Sequence, residues 1–171
     1  MVVDGALIRY EFRDPPQTIQ LRLLERDSRL EEITRDGSER VAPARFDDLV
    51  RGSDISYEDL AMKFLYWPRA TIEGEQMMLL RKCWKVRVEP ASKSESQYGR
   101  VLLWVDKDTG ALMQAEAFNH AGLFARRFKV ISGQKIDGMW LLKSMRIESA
   151  PVPGEKDRTP TYLEIEGAEK T

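Results

Sequence analysis

Apolar and polar positions alternate with a period of two through most of the chain, and turn-forming residues break the alternation at short intervals. Residues 2–12 and 17–25 read as two strands joined through Asp14-Pro15-Pro16, where the prolines cannot continue a ladder. Residues 29–34 follow and meet a turn at Asp36-Gly37. Further strands are predicted over 77–89, 98–106, 111–118, 122–132 and 139–149, with a closing strand at 161–167. The links DKDTG at 106–110, NHAG at 119–122 and IDG at 136–138 each place glycine where a hairpin needs positive φ. The four strands from 98 to 149 therefore form an antiparallel meander of consecutive neighbours. Within it VLLWV, 101–105, is apolar on both faces, as in a strand covered on both sides. Residues 44–51 suggest a short helical turn, and 90–97 and 151–160 read as loops.

One segment departs from this period. In GSDISYEDLAMKFLYWP, 52–68, Ser56 can cap a helix and Asp59 stands three positions later, the spacing of a capping box. Glu58 and Asp59 put negative charge at the positive end of the helix dipole, and Pro68 disfavours helical geometry at Trp67. Leu60, Ala61, Phe64 and Leu65 make one wide apolar side. A helix over 56–66 with such a side must be covered. The expected fold is mainly β (α+β): a strongly curved antiparallel sheet whose concave side is covered by short helices, the 56–66 helix being the candidate cover.

The bulk numbers narrow the function. At 171 residues the chain is the size of one domain, and 42% apolar with 32% charged residues is ordinary for a globular protein. Lys plus Arg (27) nearly balance Asp plus Glu (28), which argues against a nucleic-acid footprint. A single cysteine, Cys83, excludes an internal disulfide and a thiolate zinc site built from this chain alone. Beside Trp84 on a strand it reads as a small buried side chain. No apolar run approaches the ~18 residues of a membrane-spanning helix. The first residues carry neither a basic nor a long apolar signal segment, yet already read as a strand, so the natural product is expected to begin further upstream.

Catalytic patterns are missing: there is no G-x-S-x-G elbow, no P-loop and no dinucleotide fingerprint. The sole histidine, His120, falls in a turn, and the acidic pairs Asp47-Asp48 and Glu58-Asp59 flank helix starts, where capping explains them. No enzyme, metal or cofactor is expected. What remains is a surplus of large, soft side chains: four tryptophans with Met62, Met77, Met78, Met113, Met139 and Met145. Core packing is the plain explanation; the alternative is that some line a hollow for a flexible apolar ligand.

The run DISYEDLAMKFLYWP, then KCWKVRVEP, WVDKDTG and IDGMWLL, resembles the outer-membrane lipoprotein-sorting protein family, relatives of the periplasmic lipoprotein carriers, over roughly 20–149. The resemblance implies an incomplete barrel whose apolar concave face binds acyl chains, a periplasmic location, and membrane-bound donor and acceptor proteins. It also implies that the single domain, 1–171, lacks its export signal and first helix. The expected function is a non-enzymatic carrier shielding the acyl chains of a lipoprotein or glycolipid. Candidates for its cavity and lid are Leu60, Phe64, Trp67, Trp84, Leu103, Trp104, Met113, Phe128 and Trp140. The alternative is an interaction module with a filled core that binds a partner protein at a sheet edge.

Overall fold

The computed structural model describes residues 6–13, 16–136, 139–154, 159–164 and 168–170. It divides into two compact units, Met1–Tyr66 with Glu164–Thr171, and Trp67–Leu163. Both are antiparallel β structures, and neither sheet closes into a barrel.

The first unit holds β1 (Ala6–Phe12), β2 (Gln17–Leu23), β3 (Ser28–Thr34), β4 (Gly37–Arg40) and, from the far end of the chain, β12 (Ala168–Lys170). Their order is β12-β1-β2-β3-β4. Register places Ile8 beside Leu21 and Leu21 beside Leu30, so one face is apolar and buried. On the other face Gln20 and Arg22 both donate to Glu31, each at 3.1 Å.

Helix α1 (Tyr57–Ala61) starts as the capping box predicts: the Asp59 amide donates to Ser56 Oγ at 3.2 Å and the Ser56 amide to Asp59 Oδ2 at 2.8 Å. It ends after five residues rather than running to 66. Met62 turns left-handed at φ 48°, and a 3-10 turn, Lys63–Tyr66, follows. The cause is tertiary. Tyr10 Oη donates to the Leu60 carbonyl at 3.2 Å and Ser28 Oγ to that of Ala61 at 2.7 Å, so carbonyls that a longer helix would use are claimed by β1 and β3. Tyr57 Oη and Arg45 both bond Glu32, tying the start of the helix to β3 as well. Burial alone would raise the Glu32 carboxyl, but the bonds from Arg45 and Tyr57 hold it below the usual range.

The second unit is a seven-stranded sheet ordered β11-β10-β9-β8-β7-β6-β5. Its strands are β5 (Arg69–Met78), β6 (Arg81–Glu89), β7 (Tyr98–Asp106), β8 (Leu112–Asn119), β9 (Phe124–Ile136), β10 (Met139–Ser149) and β11 (Thr161–Glu164). The expected meander is present as β7 to β10. Its turns follow side-chain chemistry: Asp106 Oδ1 accepts the amides of Asp108 and Thr109 before Gly110 at φ 70°, and Asn119 Oδ1 accepts those of Ala121 and Leu123. The IDG turn falls partly on 137–138, outside the described residues. Register shifts between Ile72 and Gly74, Trp104 and Val105, and Leu142 and Ser144 add twist and bend to the ladder.

The expected single strand 77–89 is instead a hairpin. The chain reverses at Leu79-Leu80, and the strand before it, β5, was not foreseen from the alternation. Two short strands, β4 and β12, were also missed; residues 2–5 and 165–167 of the expected terminal strands lie outside the described residues. The 44–51 segment forms two 3-10 turns, Pro43–Arg45 and Val50–Gly52.

Candidate functional site

Paired residues of an antiparallel sheet project to the same side, so the registers sort the seven-stranded sheet into two faces. One carries the cross-strand row Val86, Leu103, Ala115, Phe128, Ile147, without a polar interruption over five strands. Beside it stand Trp84, Val105 and Leu112 on one side and Val88, Val101 and Ala117 on the other. The opposite face carries Arg87, Leu102, Glu116, Arg127 and Glu148, and next to them Lys85, Trp104, Gln114, Lys129 and Arg146. That face is laced with ion pairs: Arg127 meets Glu116 at 2.9 Å and Glu148 at 3.2 Å, and Arg87 meets Glu73 at 3.5 Å. Such part-buried surface pairs contribute only modest stability each.

Burial along the apolar face is graded. Leu103, Ala115, Phe128 and Ile147 are buried, while Val86, Trp84, Val105 and Leu112 are half-buried. Ile72, paired with Val86 on β5, is 61% exposed. The apolar row thus opens toward β5 and toward the end of the sheet that bears the β7–β8 turn. At that margin the Lys107 ammonium lies 3.8 Å from the Trp84 ring centroid and pairs with Glu75 at 2.5 Å. Among the described residues no three His, Cys, Asp or Glu side chains converge as a metal set. Cys83 is buried on the polar face, its thiol pushed up by burial and by the Asp106 charge.

Three of the residues singled out from sequence come together: Trp84, Leu103 and Phe128 share the apolar face. Trp104 does not join them. It points to the opposite side, where its indole N–H donates to Gln76 Oε1 at 2.9 Å and Lys85 sits 5.7 Å from its ring. It cannot line a hollow on the apolar face, because one-residue parity puts it among Lys85, Gln114 and Lys129. Met113 is half-buried at the β8 irregularity, and Trp67 is half-buried just before β5. Leu60 and Phe64 are buried in the first unit. The side chain of Trp140 lies outside those described. Sequence reasoning passed over Val86, Val105 and Leu112, which extend the apolar row, and the exposed Ile72, Leu79 and Leu80; only the pairing registers reveal them.

Residues 36–169 match a family model described as "-like: Uncharacterized protein". No curated protein sequence matches the chain. Three solved structures share the fold. A DUF1329 family protein from Desulfovibrio piger superposes with TM-score 0.68 at 18% identity, over 97% of this chain and 83% of that one. A putative outer membrane lipoprotein-sorting protein domain from Vibrio parahaemolyticus gives 0.69 at 15%, over 96% and 82%. A LolA superfamily protein from Nitrosomonas europaea gives 0.64 at 14%, over 98% and 84%. At these identities the likeness is one of fold.

Proposed function

We propose, from the premise that the chain belongs to the family matched over residues 36–169 and has the fold of lipoprotein-sorting domains, that it is a non-enzymatic carrier of lipid acyl chains. The observation that carries this reading is the graded apolar face. An apolar row that served only as core would end in buried side chains; this one runs through Leu103 and Phe128 and out to half-open Val86, Trp84 and Val105. A chain laid along that margin leaves water without any bond being made or broken. Burial is worth about 0.8 kcal/mol per methylene, so a long acyl chain gains several kcal/mol even from partial cover. The ligand class is a lipoprotein or glycolipid, the compartment the periplasm, and the exchange partners are membrane-bound donor and acceptor proteins. Trp67 and Met113, half-buried in the same unit as that face, remain candidates for contacts with the ligand.

The alternative, partner binding at a sheet edge, has a specific observation against it at the β5 edge. Edge strand β5 is bulged between Ile72 and Gly74 and carries Glu73 and Glu75, devices that blunt an edge against further pairing.

Tryptophan quenching by brominated fatty acid tests the carrier reading, because bromine quenches only at short range. In a background with Trp67→Phe and Trp140→Phe, a Trp104→Phe variant, whose one tryptophan is Trp84, should be quenched in a saturable way; Trp84→Phe, whose one tryptophan is Trp104, should be quenched much less. Equal quenching of both variants, or none in either, refutes placement of the chain on the apolar face.

A further inference from the structure

The β5–β6 hairpin turns on two leucines. Met78 pairs with Arg81, leaving Leu79 and Leu80 as a two-residue loop with φ 48° and 65°, the left-handed pair of a type I′ turn. Such a turn selects Asn-Gly; leucine at either position is strained, and neither leucine gains burial in return, since they are 65% and 95% exposed. Met77, 55% exposed, adds to the same tip. The last β6–β7 pair is Cys83 with Asp106, so the turn stands about three residues, roughly 10 Å, beyond the ladder of β7.

We propose that this tip docks the protein on an anionic lipid surface by inserting Leu79 and Leu80 among the acyl chains. The tip is convex and stiff, and two leucines with a methionine expose at most a few hundred Å², well short of the ~800 Å² per partner of a standard protein interface. A leaflet demands no shape complementarity, so a small apolar point suffices there. The charges fit the same partner. Arg81 and Lys82 follow the leucines directly, and Lys107 is fastened alongside, its backbone N–H donating to the Lys82 carbonyl at 2.9 Å. The Arg81 guanidinium is held by Asp106 and the Lys107 ammonium by Glu75, whereas Lys82 is exposed and has no ion pair among the described residues. It is the cation placed to meet a lipid phosphate.

The docking stands independently of acyl-chain carriage, and its test does not use a soluble fatty acid. The full chain is floated with vesicles of phosphatidylcholine, with and without phosphatidylglycerol. Wild type should float with the anionic vesicles and far less with the neutral ones. Leu79→Asn with Leu80→Gly installs the residues the turn prefers, so the variant should melt at or above wild type while its partition falls roughly tenfold or more. Lys82→Glu should weaken binding to anionic vesicles only. A wild type that stays at the bottom of the gradient, an Asn-Gly variant that floats as well as wild type, or a protein that forms dimers through the tip and ignores vesicles overturns the proposal.

Discussion

Asp106→Asn isolates one charge at a junction of three connections. The carboxylate is 1% exposed; Oδ1 accepts the Asp108 and Thr109 amides at 2.9 and 3.0 Å, and Oδ2 accepts from Arg81 at 2.9 Å. Asparagine can keep the two amide bonds through its carbonyl oxygen, but it turns an N–H₂ toward the guanidinium. Removing one partner of a fully buried pair costs about 3–5 kcal/mol. The Arg81 side chain is 47% exposed and rehydrates, so the expected loss is smaller, about 1–3 kcal/mol at pH 7. Burial alone would raise the Asp106 carboxyl; the Thr109 amide, Arg81 and the Asp108 amide outweigh it and hold the group below its usual range. A depressed carboxyl contributes stability above its unfolded value, near pH ~3.9, and loses it as pH falls toward the folded value. Asparagine does not titrate, so the gap between wild type and variant should narrow from pH 7 to pH 3. Urea melts at both pH values measure it. A gap that stays constant across that range refutes a role for the charge, and a gap under about 0.5 kcal/mol at pH 7 places the pair with ordinary solvated surface pairs.

Trp104→Ala should cost about 3–5 kcal/mol in denaturant melts, and Trp104→Phe about 1, since it loses little beyond the indole bond to exposed Gln76. Ser56→Ala removes the acceptor of the Asp59 amide and should cost about 0.5–2 kcal/mol, read by the same melts; a neutral result means the helix start is held by Asp59 alone. Leu60→Ala, at a fully buried position, should cost about 2–5 kcal/mol, with amide exchange rising across β1 to β3 together with α1.

What was legible in the sequence is what local chemistry decides. The turns at 106–110 and 119–122 carry their own side-chain acceptors and a glycine, so the meander of β7 to β10 could be read directly. The capping box at Ser56 and Asp59 could be read for the same reason. The hairpin at Leu79-Leu80 could not, because leucine signals strand and not turn. Its first strand, Arg69–Met78, is hidden by Glu73, Gly74, Glu75 and Gln76, residue types sparse in strands. The early stop of α1 is written in Tyr10 and Ser28, far away in the chain. VLLWV is apolar at every position, so only register with β6 and β8 tells that Leu103 belongs to the candidate site and Trp104 to the charged side.

The pairing of β1 with β12 bears on the order in which the protein is made. Ile8 lies opposite Ala168, so the first strand acquires a neighbour synthesised after every strand of the second unit. As the chain emerges amino end first, from a ribosome or from an export channel, β5 to β11 can zip into a sheet, because each pairs with the strand just before it. The earlier-made strands must wait with one rim of β1 bare, and closing so long a loop slows the step more than it weakens the product. Vectorial emergence therefore completes the sheet that holds β1 last.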